Sequence, residues 1–294
     1  MTKKRKDNRG LVIPKIFIYL IKLLEKISPV LCMHFARFIW SKPIKYKIPE
    51  REKSILDESE ISDVKIQSIN KVIKYYHWNG NGPKVLLVHG WSGRATNLYK
   101  IINHLYKKGF DIHAFDAPAH GMSSSLTTTL PEFVSCIEEI SKKIDPLSFL
   151  IGHSGGGFAS IYAASKNLKI KKLILISPFD SVLDLFQNYF KMINVGEKVG
   201  DLMLNYFSEK KGVIVDENLC SSIFAKSVNC DTLLIHDKND KEVSIDDSKK
   251  IEKNLSKVLK LYTTGLGHRR ILRDEKVVRK IDLFLKNKLT KNDL

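Results

Sequence analysis

The chain has 294 residues, enough for one large α/β domain with an insertion or for two small domains, and 43% hydrophobic with 28% charged residues is the composition of a folded globular protein. The net charge of +17 is concentrated at the amino terminus, where residues 1–47 carry twelve Lys or Arg against two acids. No low-complexity tract or internal repeat is present, which excludes repeat and fibrous architectures. The apolar stretch at residues 11–24 leads to Lys15, Tyr19, Lys22 and Lys26 at spacings of four, three and four, one narrow helical stripe with Ile, Leu and Phe around the rest. Pro14 suits the first turn. Such a helix has three readings. It docks its apolar face on the body, it lies in an anionic membrane interface with the basic run at residues 3–6 against the lipid, or it is a secretory signal. Lys15 and Lys22 break the run and argue against a membrane-spanning helix and against a signal. A second apolar helix is expected through Phe35, Phe38 and Trp40, and Pro43 and Pro49 mark a linker. Residues 1–60 are thus read as a basic amphipathic helical extension.

From about residue 64 the pattern changes. Two strands, 64–70 and 71–78, form a ribbon that ends at the turn signal Asn79-Gly80-Asn81-Gly82-Pro83. A buried strand follows at 84–88. Then come helix 94–108, strand 111–115, helix 130–144, strand 148–151, helix 158–165, strand 172–176, strands 232–236 and 258–263, and a closing helix 276–288. This alternation predicts an α/β fold with a mostly parallel central sheet and helices on both faces. Residues 181–228 hold two helical runs, 182–193 and 199–207, without a strand. They are expected to form a small helical cap inserted over the carboxyl edge of the sheet, within a domain covering 61–294.

The sharpest motif is Gly152-His153-Ser154-Gly155-Gly156, set between the apolar run Phe149-Leu150-Ile151 and a helix-like stretch. A serine nucleophile on a strained strand-to-helix turn needs small residues two positions before and after it, and Gly152 and Gly156 supply them. His153 is expected to pack behind this elbow. Upstream, the strand at 84–88 runs into His89-Gly90-Trp91. A site that cleaves an ester needs two N–H donors aimed at the developing oxyanion. The residue after the nucleophile, Gly155, supplies one, and this upstream loop supplies the other, most naturally Trp91. His89 itself reads as a loop-shaping histidine.

Three segments in order, His89-Gly90-Trp91-Ser92-Gly93, Asp116-Ala117-Pro118-Ala119-His120-Gly121-Met122-Ser123 and residues 152–156, resemble the successive motifs of the α/β-hydrolase superfamily over roughly residues 64–290. The 116–123 loop departs from the family pattern at Ala119, where glycine is common, and that loop is usually structural. The resemblance implies the α/β-hydrolase fold and a triad in the chain order Ser, acid, His. The acid should follow strand 232–236, and the family's position falls on Asp240; Asp237 in the same loop and Asp180 after strand 172–176 are alternatives. The histidine should follow the last strand, where Thr264-Gly265-Leu266-Gly267-His268 offers His268. His77, His104, His113 and His120 are weaker candidates.

Ser154, Asp240 and His268 are then expected to hydrolyse a carboxylic ester, acyl or lipid-like, through an acyl-enzyme that needs no metal or organic cofactor. Thioester cleavage or acyl transfer would use the same groups. A non-catalytic binding or membrane-surface protein on the same fold is the alternative of another class. The expected partners are a small ester or acyl substrate and an anionic membrane surface met by residues 1–40, for a cytoplasmic protein peripheral to the inner face of the membrane. Nucleic acid is not expected, because the basic arm interleaves large aliphatic residues rather than stacking aromatics. Cys32, Cys136, Cys220 and Cys230 form no C-x-x-C pair and read as reduced thiols.

Overall fold

The computed structural model describes residues 14–293; the basic run at 3–6 and the apolar residues 11–13 lie outside them. In chain order the elements are α1 (Lys15–Ile27), α2 (Pro29–Ser41), α3 (Glu50–Asp57), β1 (Glu60–Ile66), β2 (Lys71–Trp78), β3 (Lys84–Val88), α4 (Tyr99–Lys107), β4 (Asp111–Asp116), α5 (Leu130–Lys143) and β5 (Phe149–His153). They continue with α6 (Gly155–Ser165), β6 (Lys172–Ile176), α7 (Val182–Ile193), α8 (Glu197–Lys211), α9 (Ser221–Ala225), β7 (Asp231–Asp237), α10 (Ile245–Glu252), β8 (Val258–Thr263), α11 (Gly267–Arg270) and α12 (Glu275–Leu285). The chain divides into two compact units, one of residues up to Trp40 with Val182–Leu219, the other of Ser41–Ser181 with Cys220–Leu294.

The larger unit is built on one eight-stranded sheet in the order β1-β2-β4-β3-β5-β6-β7-β8. β2 runs antiparallel to β1 and β4, and every pairing from β4 to β8 is parallel. The inner strands read as unbroken apolar runs because helices cover both faces. Leu87, Ile112, Ile151, Ile174 and Leu233 share one core with Ile101 and Leu105 of α4 and Ile281 of α12. Leu86, Val88, Leu150, Leu173 and Leu234 point the other way, into a core with Phe133 and Ile137 of α5, Ile161 of α6 and Ile251 of α10. Each strand thus divides its side chains between two cores, as the period of two demands. β3 has β4 on one side and β5 on the other. The connections reverse direction there, opening a crevice beyond the carboxyl ends of β3 and β5, which is where open α/β sheets bind ligands.

Four helices of this unit, α3, α9, α10 and α11, lie outside the expected elements. α3 falls in the stretch read as linker, and its inward residues are Glu52 and Ile55. Glu52 is 2% exposed, and its Oε2 accepts bonds of 2.8 Å from both Arg94 Nε and Thr96 Oγ1. α10 follows β7 and is likewise charged over most of its surface. α6 starts at Gly155, three residues before the expected 158, since its three leading glycines are buried yet carry no apolar signal.

In the smaller unit α1 and α2 pack with α7 and α8. The Tyr189 hydroxyl donates to the carbonyl of Ala36 at 2.7 Å, and Gly196 N donates to Glu25 Oε1 at 2.7 Å. The Trp40 ring lies 4.6 Å from that of Phe186 and 4.9 Å from that of Tyr189. Among the described residues no helix is long and apolar enough to cross a membrane.

Candidate active site

Ser154 joins β5 to α6 at φ 53° and ψ −119°, a left-handed conformation that costs an L-residue about 1–3 kcal/mol and persists only where the surroundings enforce it. The glycines on either side explain how. A Cβ on Gly152 would sit 2.5 Å from both Gly156 O and Ser160 Oγ, and one on Gly156 would sit 2.4 Å from His89 O and 2.5 Å from Val88 O. The elbow is therefore pressed against the end of β3. The β3 loop comes as close on the other side, since a Cβ on Gly90 would meet Ser154 Cβ at 2.9 Å.

That packing puts the two expected oxyanion donors next to each other. The Cβ position of Gly155 is 3.6 Å from Trp91 N. Neither the Trp91 nor the Gly155 N–H has an acceptor among the described residues. Gly155 is also the first residue of α6, so the positive end of the helix dipole adds to its N–H.

His268 is the second residue of the short helix after β8 and is 7% exposed. Its Nδ1 donates to Asp240 Oδ2 at 2.7 Å. The Asp240 side chain is fully buried. Its Oδ1 accepts from the N–H groups of Glu242 at 2.8 Å and Val243 at 3.1 Å. Burial pushes this carboxyl up, but hydrogen bonds from His236 and His268, with the His268 charge, outweigh burial and hold it far below the usual carboxylate range. The geometry separates it from the other two acids. Asp237 spends Oδ2 on Thr263 Oγ1 at 2.7 Å and Leu266 N at 2.9 Å, tying the loop after β8 to the end of β7. Asp180 Oδ1 accepts from Ser222 N at 2.8 Å. The His153 ring lies 4.7 Å from the His268 ring, which brings the elbow and the β8 loop together. Neither Ser154 Oγ nor His268 Nε2 has a hydrogen-bond partner among the described residues, and such contacts are often long before substrate binds.

Two histidines support the site: His153, which the elbow motif singles out, and His236, which carries no signal in the sequence beyond its type. His153 Nε2 donates to the carbonyl of His268 at 2.9 Å, steadying the backbone that bears the imidazole. Burial first, then the neighbouring His268, keeps His153 well below the ordinary histidine range. His236 is completely buried, accepts from Ser248 Oγ at its Nδ1 and directs Nε2 at Val243 O, 3.1 Å, and Asp240 Oδ2, 3.4 Å.

His89 accepts from Ala117 N at Nε2, 3.0 Å, and donates from Nδ1 to Gly90 O, 2.7 Å, so both ring nitrogens serve the loop. His120 does the same with Ser92 N and Pro118 O, each at 3.0 Å. Asp116 accepts at 2.7 Å from Ala95 N, Met122 N and the Tyr76 hydroxyl, and a Cβ on Gly121 would fall 2.0 Å from its carboxylate. The 116–123 loop is thus a framework for the 89–95 loop. Ala119 stands in it at φ +65°, which accounts for glycine being common there.

One further group of donors is assembled by strand pairing rather than by sequence spacing. His77 on β2 faces His113 on β4, with Asp111 two residues away on the same face. These three could ligate a metal in their chemistry, but they already bond one another: His77 Nε2 lies 2.7 Å and His113 Nε2 3.3 Å from the Asp111 carboxylate, and Tyr75 OH lies 2.6 Å from His113 Nδ1.

A family model described as the alpha/beta hydrolase fold matches residues 83–212. A pimeloyl-[acyl-carrier protein] methyl ester esterase of Xanthomonas campestris is 29% identical over 100 residues, 33% of this chain and 38% of that protein. A monoacylglycerol lipase of Xenopus laevis is 27% identical over 129 residues, 42% of this chain and 38% of that protein. The chain thus spans less than two fifths of the length of these curated relatives. Among solved structures, an esterase of Pyrococcus furiosus superposes with a TM-score of 0.64 at 20% identity, covering 84% of this chain and 98% of that one, a likeness of fold.

Proposed function

We propose that this chain, whose residues 83–212 match the alpha/beta hydrolase fold and whose fold is that of a solved esterase, is a member of the α/β-hydrolase superfamily that hydrolyses a carboxylic ester with Ser154 as nucleophile, His268 as base and Asp240 as the acid that orients it. The observation that carries this reading is the 2.7 Å bond from His268 Nδ1 to the buried Asp240. With Nδ1 donating, Nε2 is left to accept the Ser154 proton, which a serine hydroxyl needs to lose before it becomes a useful nucleophile near neutral pH. The Ser154 oxygen adds to the ester carbonyl, and the free N–H groups of Trp91 and Gly155 take the negative charge that forms on the carbonyl oxygen. A donor so placed contributes about 3–4 kcal/mol to the transition state. His268 then protonates the leaving alcohol. In the second half water attacks the acyl-enzyme, giving a proton to His268, and the acid departs as His268 passes that proton to the Ser154 oxygen.

Relatives that are named as a methyl ester esterase and a monoacylglycerol lipase favour an oxygen ester over a thioester or amide. The test is to incubate the purified chain with short p-nitrophenyl esters and with a fluorophosphonate probe. Ester turnover and probe labelling, both lost in Ser154→Ala, are expected. A chain that takes up no probe and turns over no faster than Ser154→Ala would remove the reading. Faster product formation with an added alcohol at equal loss of ester would move the function to acyl transfer.

A further inference from the structure

The outer face of α1 bears a stripe that nothing among the described residues covers. Ile16, Leu20, Leu23 and Ile27 lie at successive intervals of four, three and four, on one side of the helix, and are 69%, 39%, 57% and 67% exposed. The stripe continues past the turn at Ser28 into Val30 and Leu31, which are 49% and 54% exposed. The opposite side of α1 is the one that packs, through Ile21, which is fully buried and whose carbonyl receives the Cys32 thiol. A helix that exposes its aliphatic row and buries a different one is not explained by docking within its own unit.

The charge beside the stripe indicates what covers it. Lys15, Lys22 and Lys26, spaced by seven and four, form a parallel row along one flank, with the exposed Tyr19 between the two rows. Four more bases, residues 3–6, precede the helix in the sequence. Aliphatic side chains flanked by lysines and a tyrosine match the boundary between acyl chains and anionic headgroups. At 13 residues α1 is about 20 Å long, short of the ~30 Å hydrocarbon core, so it can lie along a bilayer but not cross it.

We infer that the Ile16–Leu20–Leu23–Ile27 row of α1, with Val30 and Leu31, is a docking face for an anionic lipid bilayer, its lysines set against the headgroups. In combination with the proposed esterase, on which this part rests, docking makes bilayer-borne esters the substrate class.

The test uses the full chain and sedimentation with vesicles of phosphatidylcholine alone or with 30% phosphatidylglycerol. Cosedimentation with the anionic vesicles, weakened by salt, is expected. The double variant Leu20→Glu/Leu23→Glu changes two exposed side chains and should lower partitioning by about tenfold or more while leaving turnover of a short soluble ester unchanged. Lys22→Glu/Lys26→Glu should lose the preference for anionic vesicles. Equal cosedimentation of parent and Leu20→Glu/Leu23→Glu overturns the inference. So does a parent that ignores vesicles but forms a dimer which that variant dissolves, since the face would then belong to a second copy. Docking that is lost in the variant while neither protein cleaves the soluble ester upholds the docking face and removes only the esterase.

Discussion

Asp237 ends β7 and Asp240 lies three residues on in the loop that follows, and their chemistry diverges through what each carboxylate accepts. Asp240 takes the His268 Nδ1–H, and Asp237 takes backbone and hydroxyl donors of the loop that carries His268. Asp240→Asn should therefore lower kcat by about 10⁴-fold with little change in KM, because the amide favours the wrong imidazole tautomer. Asp237→Asn should instead lower the unfolding midpoint and leave kcat within about tenfold, by loosening a loop rather than redirecting a proton. Steady-state kinetics and urea unfolding of the two variants check this, and a larger kcat loss in Asp237→Asn would exchange their roles. Ser154 and His268 are legible in the sequence, because a glycine-flanked serine after an apolar run and a histidine after the last strand each occupy a position that the topology singles out. Between the two acids the residues alone do not choose, since Asp237 ends β7 and Asp240 follows it by three, and only the resemblance to the family pattern points to Asp240. His236 is equally silent, since a buried histidine that bonds a carbonyl or a carboxylate looks like any other histidine in a string, whereas the place of His153 behind the elbow follows from the motif and only its bond to the His268 carbonyl does not.

At the scale of elements, legibility follows the link between burial and hydrophobicity. β3, β6 and β8 occupy the residues 84–88, 172–176 and 258–263 that their apolar runs predict. α3 escapes because one of its two buried positions is a glutamate, so its hydrophobic pattern is inverted. The same inversion makes Glu52 the residue on which α3 depends. Its carboxylate neutralises Arg94, whose side chain is 8% exposed, and receives Thr96 as well. Glu52→Ala should leave the guanidinium buried without its partner and cost about 3–5 kcal/mol. Glu52→Gln keeps an acceptor and should cost less. Glu50→Ala, at a position whose side chain is 84% exposed, should change stability by under about 0.5 kcal/mol. A urea midpoint for Glu52→Ala equal to that of Glu50→Ala would mean the pair does not hold the helix.

Across the whole molecule the titrating groups combine into one pH dependence of stability, and their signs can be worked out in advance. Burial keeps His89, His113, His120 and His153 below the ordinary histidine range in the fold, His113 down to about 4. Unfolded, all four bind a proton once the pH falls below about 6.5. The unfolded chain then holds more protons than the folded one, so stability falls as the pH drops from about 6.5 towards the folded values. His113 alone accounts for about 3 kcal/mol between pH 6.5 and 4. Asp240, also held low, adds to the loss only below about pH 4, where an unfolded aspartate takes up its proton. At the alkaline end the sign reverses. Burial raises the Tyr75 and Tyr76 hydroxyls, so the folded chain keeps protons that the unfolded chain releases above about pH 10, and stability falls again as the pH rises. Burial also raises the Cys32, Cys136 and Cys230 thiols, and unfolded cysteines release their protons from about pH 8.5, so a plateau from about pH 7 to 8 is expected, with an acid shoulder that begins about two pH units above the range where carboxylates alone would start it. Urea unfolding free energies at pH 8, 6, 5 and 4.5 measure the shoulder. His113→Gln removes one of the four titrations and should flatten the slope between pH 6 and 4.5, whatever it costs at pH 8. A parent whose stability is constant down to pH 4.5 would show that these histidines are not held neutral by the fold. It would also count against the hydrogen-bonded loop framework of His89 and His120 on which the Trp91 donor depends.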